Sequence, residues 1–180
     1  MSCALGNGRL EVCKDAVGGI DAVYFINYGD ITGTTFDVTN TDLIETVTGV
    51  AILYKYEVKG TNSFEQVFNS SRENGTSFVE QTLSIILKKQ DAATHKNVKL
   101  LAWGRPNVVI KNRNNQYFLA GLEHGMEITT ANVSNGTAMG DLNGYTLTFV
   151  GQEKIFANLI DASSDATLET AFSSASIMNN

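Results

Sequence analysis

The stretch TSFVEQTLSIILKK, residues 76–89, alternates between apolar and polar side chains with a period of two. On one side of an extended chain the side chains are apolar, namely Val79, Leu83, Ile85 and Leu87. The other side is mostly polar in its middle. Such an alternation over so long a run predicts a β-strand of more than the usual length, with one apolar face and one solvated face.

The dipeptide Asn-Gly precedes that strand, and it occurs at four places in the chain: Asn7-Gly8, Asn74-Gly75, Asn135-Gly136 and Asn143-Gly144. Both residues tolerate a positive φ angle, which a type I′ hairpin turn requires at its two central positions. Asn74-Gly75 separates the alternating strand from the segment NSFEQVFNSS, and Arg72 and Glu73 stand beside it. We therefore predict a long hairpin over about residues 47–88, with Asn74 and Gly75 at its tip.

The segment QDAATHKNVKLLAWGRP changes from the period of a strand to that of a helix. Asp91 is a suitable N-cap, and apolar residues follow it at helical spacing. Gly104 and Pro106 then provide a stop signal. These features predict one α-helix over about residues 91–103.

Segments with strand-like patterns lie on both sides of this helix. The order of strands, one helix and further strands predicts a mainly β protein, with an antiparallel β-sandwich or barrel and one packed α-helix. We place a single domain at residues 1–161, with an N-terminal extension over about residues 1–16. Residues 162–180, which are rich in Ser and Ala, are predicted to form a C-terminal extension.

The sequence contains few residues in catalytic or metal-binding patterns. His95 and His124 are the only histidines, and neither belongs to a metal-ligand or catalytic motif. The sequence also contains no nucleophile elbow and no phosphate-binding loop. We therefore predict a protein that is not an enzyme and that uses neither a cofactor nor a metal.

Composition narrows the possible partners. The net charge of −6 argues against binding of nucleic acid through its phosphates, since like charges repel. Charged residues make up only 18% of the chain, which is typical of a surface partly committed to neighbours. No apolar run approaches the roughly 18 residues that a membrane helix needs, so no membrane partner is expected.

The segment GMEITTANVSNGTAMGDLNG, residues 125–144, is nearly uncharged and rich in Gly, Asn and Thr. Small neutral side chains allow the backbones of two subunits to approach closely, although a flexible loop would have the same composition. Together with the hairpin tip, this segment supplies the candidates for contacts between subunits: Arg72, Glu73, Asn74, Gly75, Met126, Asn135, Gly136, Met139 and Asp141.

The element order, together with the stretch from GME to GDLNGYTLTF, resembles virion structural proteins of tailed bacteriophages. The resemblance covers roughly residues 17–161 and is greatest to tail tube (major tail) proteins of phages of Bacteroidetes-type hosts. It implies a homo-oligomer of stacked hexameric rings whose lumen conducts DNA without binding it specifically. It also implies contacts with other tail or connector proteins, synthesis in the host bacterial cytoplasm and a final location in the virion. The polar side of the long strand then supplies lumen-facing candidates: Glu80, Thr82 and Ser84.

Two alternatives stay open. The chain could be another β-sandwich of the virion, such as a tail terminator, a connector ring or a capsid decoration protein. It could instead be a carbohydrate-binding β-sandwich in which Trp103 and some of the six tyrosines stack on sugars. Trp103 has apolar neighbours at the end of the predicted helix, so we expect its side chain to lie in the core.

Overall fold

The computed structural model describes residues 8–11 and 13–179, and it confirms a mainly β protein. Asn7 therefore lies outside the described residues, and the predicted N-terminal extension, about residues 1–16, is described only in part. The elements in chain order are β1 (Ile20–Ile26), β2 (Gly33–Phe36), β3 (Leu43–Thr48), β4 (Ile52–Glu57), β5 (Ser63–Ser71), β6 (Thr76–Lys88), α1 (Ala92–Trp103), β7 (Asn107–Asn112), β8 (Tyr117–Ala120), β9 (Glu127–Ser134), β10 (Gly144–Glu153), β11 (Asn158–Ile160), α2 (Asp165–Ala171) and β12 (Ser176–Met178).

The strands form two sheets. Eight strands are ordered β12-β4-β1-β7-β8-β11-β3-β2, and four longer strands are ordered β5-β6-β10-β9. Most neighbours are antiparallel, as predicted, but β11 pairs with β3 and β12 pairs with β4 in parallel. Parallel pairing needs a long crossover connection, and both exceptions involve strands near the C-terminus that return to strands from the first third of the chain.

The eight-stranded sheet is rolled, and the short connection from β3 to β4 requires this. Five strand spacings separate β3 from β4 in the sheet order, which would place them about 24 Å apart in a flat sheet. The chain from Thr48 to Ile52 can span only about 14 Å. Gly49 makes the bend with φ +97°, and a Cβ atom there would overlap the carbonyl oxygen of Asp30. The sheet therefore curls until its two ends approach each other.

The four-stranded sheet packs on one face of the rolled sheet. The inward side chains of β6 and β10 are buried together with those of β1 and β7 in a first core. Phe25 of β1 lies at the centre of this core, with its ring 5.2 Å from that of Phe149 and 5.1 Å from that of Tyr56. The alternation read from the sequence of β6 is confirmed, since Val79, Leu83, Ile85 and Leu87 are all buried.

The segment predicted as a C-terminal extension closes the inside of the rolled sheet. Leu168 and Phe172 are completely buried in a second core, which also contains side chains of β1, β3, β4 and β8. Ser164 and Thr167 cap α2 reciprocally, and β12 then adds a strand beside β4. Residues 162–179 are therefore part of the fold and not the predicted extension. Two apolar residues, Leu168 and Phe172, are a weak signal in a segment rich in Ser and Ala, although both are buried in the core.

Helix α1 begins and ends where the sequence predicts. The carboxylate of Asp91 accepts a hydrogen bond from the backbone nitrogen of Thr94, and Gly104 ends the helix. Val98 is the buried residue of this helix. Trp103 lies five residues later, about 140° around the helix axis. Its side chain is 91% exposed, so the prediction that Trp103 belongs to the core is wrong.

The hairpin tip differs from the predicted turn. Strands β5 and β6 pair up to Ser71 and Thr76, so four residues connect them, and only Gly75 has a positive φ angle. A type I′ turn would also need a positive φ angle at Asn74, and that prediction is wrong. The hairpin extends over residues 63–88 rather than 47–88, because residues 47–48 and 52–57 belong to strands of the other sheet.

The burial of Phe172 yields a prediction for stability. Replacing Phe172 by Ala should lower the free energy of unfolding by about 3–5 kcal/mol, because it leaves a cavity beside α2. Urea unfolding followed by circular dichroism measures this change. Met139→Ala, at a fully exposed position, is the matched control and should change the value by less than about 0.5 kcal/mol. Equal stability of the two variants would contradict a structural role for the C-terminal segment.

Candidate functional site

The outer face of the four-stranded sheet, which points away from the rolled sheet, is its solvated side. The register places Thr82 opposite Val150 and Ser84 opposite Thr148, while Glu80 is opposite Gln152. All three predicted lumen-facing residues, Glu80, Thr82 and Ser84, are half-buried on this face. Period-two alternation therefore assigned them to one surface correctly.

This outer face is acidic. Glu65 on β5, Glu80 on β6 and Glu127 on β9 all project from it, as their cross-strand partners show. Lys88, at the last position of β6 and beside Gly60, is the one basic residue in the four strands. Alternation places Lys88 at the end of the same face, so three carboxylates stand against one cation, and the net potential of the surface is negative and repels phosphate groups.

Both edges of this sheet lack a strand partner within the described residues. Strand β5 pairs only with β6, and β9 pairs only with β10. Helix α1 lies near β9, and Gln90 donates a hydrogen bond to the carbonyl oxygen of Ser134 at the end of that strand. Residues 129–133 of β9 nevertheless remain exposed. Long edge strands without Lys, Arg or Pro are suited to pairing with another chain.

The end of the β5–β6 hairpin projects beyond the rest of the sheet. Pairing between β6 and β10 stops at Val79, so residues 76–78 have only β5 beside them. The four predicted contact residues Arg72, Glu73, Asn74 and Gly75 are exposed at this tip. Such a projection is accessible to a neighbouring molecule.

Exposed apolar side chains lie next to the tip, and sequence reasoning missed them. Phe68 and Phe156 are both half-exposed, with ring centroids 6.4 Å apart. Val67 and Phe78 are also exposed, on the outer face. Phe68 belongs to the inward side by alternation, but it lies beyond the part of the sheet that the core covers. An apolar residue close to a strand end was the only available signal.

The segment at residues 125–144 is more ordered than its composition indicates. Most of its first half forms β9, and the carboxylate of Asp141 holds the following loop by accepting hydrogen bonds from the backbone nitrogens of Thr137 and Ala138. These bonds lower the pKa of Asp141. Asn135 accepts a hydrogen bond from Gln90.

Two further contact candidates, Gly136 and Met139, lie in this loop, and a third, Met126, lies just before β9. Gly136 has a φ angle of 70°, and a Cβ atom there would come too close to Asp141. Met139 is fully exposed and available for contacts. Met126 is not, because its side chain is 0% exposed in the core between the sheets. The prediction that Met126 contacts another subunit is therefore wrong, because its side chain is buried within its own chain.

Glu123, His124 and Glu153 form the one group of potential metal ligands found among the described residues, with ligand atoms within 4.8 Å of one another. Their hydrogen bonds give the group another role. The carboxylate of Glu153 accepts from the backbone nitrogens of Glu123 and His124, which fixes the turn after β8. The ammonium group of Lys154, 2.7 Å from the carboxylate of Glu123, lowers the pKa of Glu123. A metal ion would have to displace this cation.

The most perturbed pKa values occur in a cluster around Asp165, at the start of α2. Tyr24 and Tyr117 donate hydrogen bonds to one carboxylate oxygen, at 2.8 and 3.0 Å, and Lys55 donates to the other at 2.8 Å. Burial raises the pKa of the Asp165 carboxyl, but these three donors outweigh burial and lower it to about 2. The residues are far apart in the sequence, so no local pattern could have predicted the cluster.

The cluster is suited to anchoring α2 rather than to catalysis. Burial, together with the hydrogen bond to Asp165, raises the pKa of both phenols, so neither tyrosine is activated as a nucleophile or a base near neutral pH. Lys111 lies 3.7 Å from Asp165 and 3.4 Å from Asp21, which extends the ion-pair network along β1 and β7. The cluster thus links α2 to four strands, β1, β4, β7 and β8.

Comparisons of the chain with models of protein families, with curated proteins and with solved structures find no match. Among the described residues, no helix has the length and apolar character needed to span a bilayer. The surfaces of the fold are therefore the features that bear on function.

The Asp165 cluster predicts a specific pH dependence of stability. Because its pKa is lower in the folded protein than the ordinary value of 3.8, its contribution is complete above about pH 4 and is lost as the pH falls toward 2. Asp165→Asn removes this contribution. The difference in unfolding free energy between the native protein and this variant should therefore shrink over that pH range, as measured by urea unfolding. Asp15→Asn, in the exposed N-terminal segment, is the control, and a pH-independent difference for Asp165→Asn would refute the assignment.

Proposed function

We propose that the chain is a structural subunit of a phage virion, a tail tube protein that assembles into stacked hexameric rings around a DNA-conducting lumen. One observation carries this proposal: the four-stranded sheet combines a solvated, acidic outer face with two edges that no other described strand pairs with. A conduit for DNA needs a wall that repels phosphates, and a ring needs edges that can pair with identical neighbours.

The edges supply the ring contact. Pairing of β5 from one subunit with β9 of the next continues the sheet from copy to copy. Closure of the ring then leaves no free edge in that sheet. Because the contact joins two different strands, it is head-to-tail, which is the type of interface that generates rings.

The hairpin supplies the contact between rings. Its tip projects beyond the sheet, and Phe68, Phe78 and Phe156 expose apolar surface beside it. Apolar side chains exposed on both sides of the hairpin favour burial against another protein. Met139, on the loop that precedes β10, is a second exposed apolar side chain that a neighbour could cover.

The outer face supplies the lumen wall. Glu65, Glu80 and Glu127 repel the phosphates of passing DNA, while the Thr and Ser side chains between them keep the wall hydrated. The proposal assigns no chemistry to the chain beyond assembly and passage of DNA. Other tail or connector proteins would contact the ends of the tube.

The alternatives differ in their assembly. A tail terminator or connector would form a single ring, a decoration protein would bind a capsid surface, and a carbohydrate-binding domain would remain monomeric. Two separate observations favour carbohydrate binding: the side chain of Trp103 is exposed, and Tyr54 and Tyr56 help to line a groove of about 810 Å³. Light scattering separates six-fold association from a monomer.

The lumen assignment predicts the effect of a positive charge on the outer face. Ser84→Lys places an ammonium group between Ser63 and Thr148, neither of which can neutralise it. Assembled Ser84→Lys protein should retain short duplex DNA that the native assembly releases, and retention should fall steeply with salt. Thr41→Lys, at an exposed turn before β3, is the matched control and should not retain DNA.

Electron microscopy of each protein first establishes whether rings or tubes are present, and a filter-retention assay then measures bound DNA. Native protein that stays monomeric at every concentration and salt would refute the assembly. Equal DNA retention by rings of the Ser84 and Thr41 variants would refute the assignment of the outer face to the lumen.

A further inference from the structure

Three Asn-Gly pairs fall wholly within the described residues, and the fold places them in different environments. Asn74-Gly75 is at the hairpin tip, Asn135-Gly136 is in the loop after β9, and Asn143-Gly144 leads into β10. Since the local sequence chemistry is the same, differences in reactivity among them must come from structure. We propose that Asn74 is a site of spontaneous deamidation and that the fold protects Asn135 and Asn143.

The reaction needs only water. The backbone nitrogen of the glycine attacks the side-chain amide carbon of the preceding asparagine, a carbon–nitrogen bond forms, and ammonia leaves. Water then opens the five-membered imide at either carbonyl carbon, which yields aspartate or isoaspartate. Glycine is the most permissive following residue, because no Cβ atom hinders the approach of its nitrogen. The product carries one additional negative charge.

Asn74 and Gly75 are free to reach the geometry for this attack. Both residues are exposed, and no atom lies within 4 Å of the position of a Cβ atom at Gly75. The nitrogen of Gly75 makes no hydrogen bond to any other residue of the described chain. The nitrogen of Asn74 donates a long bond of 3.3 Å to the hydroxyl of Ser71, and the side-chain amide of Asn74 makes no hydrogen bond to another described residue.

Asn135 and Gly136 are held at both reacting groups. The side-chain oxygen of Asn135 accepts a hydrogen bond of 2.7 Å from Gln90, which restrains rotation of the amide. The nitrogen of Gly136 donates to the hydroxyl of Ser134 at 3.2 Å, so the attacking atom is occupied. Attack requires both bonds to open, and two bonds of ordinary strength slow the reaction by about tenfold or more.

Asn143 and Gly144 are held by the sheet. Gly144 is a buried strand residue, paired with Lys88 on one side and Ser134 on the other. The carbonyl oxygen of Asn143 accepts a hydrogen bond of 2.7 Å from the nitrogen of Lys89. A Cβ atom at Gly144 would overlap the carbonyl oxygen of Leu87, so the backbone has no room to rotate.

Deamidation would place a new carboxylate beside Glu73 at the projecting tip. In the proposed tube this tip contacts the next ring, so the modification would add repulsion there in an age-dependent way. This consequence rests on the proposed function, whereas the modification itself follows from the hairpin alone. An experiment on the modification therefore fails or succeeds independently of the tube.

The test is peptide mapping of the purified full chain after incubation at mildly alkaline pH in water enriched in heavy oxygen. Trypsin releases residues 73–88, in which Asn74 is the single asparagine, and fragmentation locates the label within residues 114–154. In the folded protein Asn74 should gain label at least about tenfold faster than Asn135 or Asn143. In urea the three rates of labelling should converge, because unfolding removes the structural differences among the three Asn-Gly pairs.

Gly75→Ala is the matched variant, since a methyl group there hinders the attack while leaving Asn74 in place. It should slow labelling of Asn74 and leave the rates at Asn135 and Asn143 unchanged, with circular dichroism confirming the fold. Labelling of the three asparagines at similar rates in the folded protein would overturn the proposal. Faster labelling of Asn135 or Asn143 than of Asn74 would do the same.

Discussion

The packing of one side of β6 against the rolled sheet is the constraint on which the rest of the structure depends. Pairing with β5 and β10 fixes the register of β6, and its buried residues from Val79 to Leu87 hold that register. A slip by one residue would expose these side chains and bury Glu80, Thr82 and Ser84, at a large cost in free energy. The register that buries the apolar side chains of β6 therefore also places its polar side chains on the outer face.

The rolled sheet gives this arrangement a rigid support. The short connection after β3 brings the two ends of the sheet together, and α2 fills the space inside the curl. The carboxylate of Asp165 ties α2 to β1, β4 and β8 by accepting hydrogen bonds from the hydroxyls of two buried tyrosines and from the partly exposed ammonium group of Lys55. The fold therefore has two cores, and among the described residues the four-stranded sheet keeps one face and two edges available to other partners.

Sequence reasoning recovered the features that depend on local periodicity. The long strand, its two faces, the hairpin and the limits of α1 all follow from side-chain spacing and from caps such as Asp91. It failed where tertiary contacts decide the outcome. Trp103 lies in an apolar stretch but faces solvent, and Met126 lies in a neutral, Gly-rich stretch but is buried.

The functional surfaces were only partly predictable for the same reason. The polar side of β6 was visible in the sequence, whereas its acidic neighbours Glu65 and Glu127 were brought beside it by the pairing of separate strands. The Asp165 cluster joins residues from five distant segments, which no spacing rule connects. Phe68 is exposed because the hairpin extends beyond the part of the sheet that the core covers.

The central claim is that the edges of the four-stranded sheet pair between copies, and amide hydrogen exchange as a function of protein concentration tests it most directly. Backbone amides of β5 and β9 that point away from β6 and β10 should exchange rapidly in dilute protein and become protected as assembly proceeds. Amides of the inner strands β6 and β10 should be protected throughout and serve as the internal reference. Exchange at the two edges that does not change with concentration, under conditions in which particles form, would contradict the account.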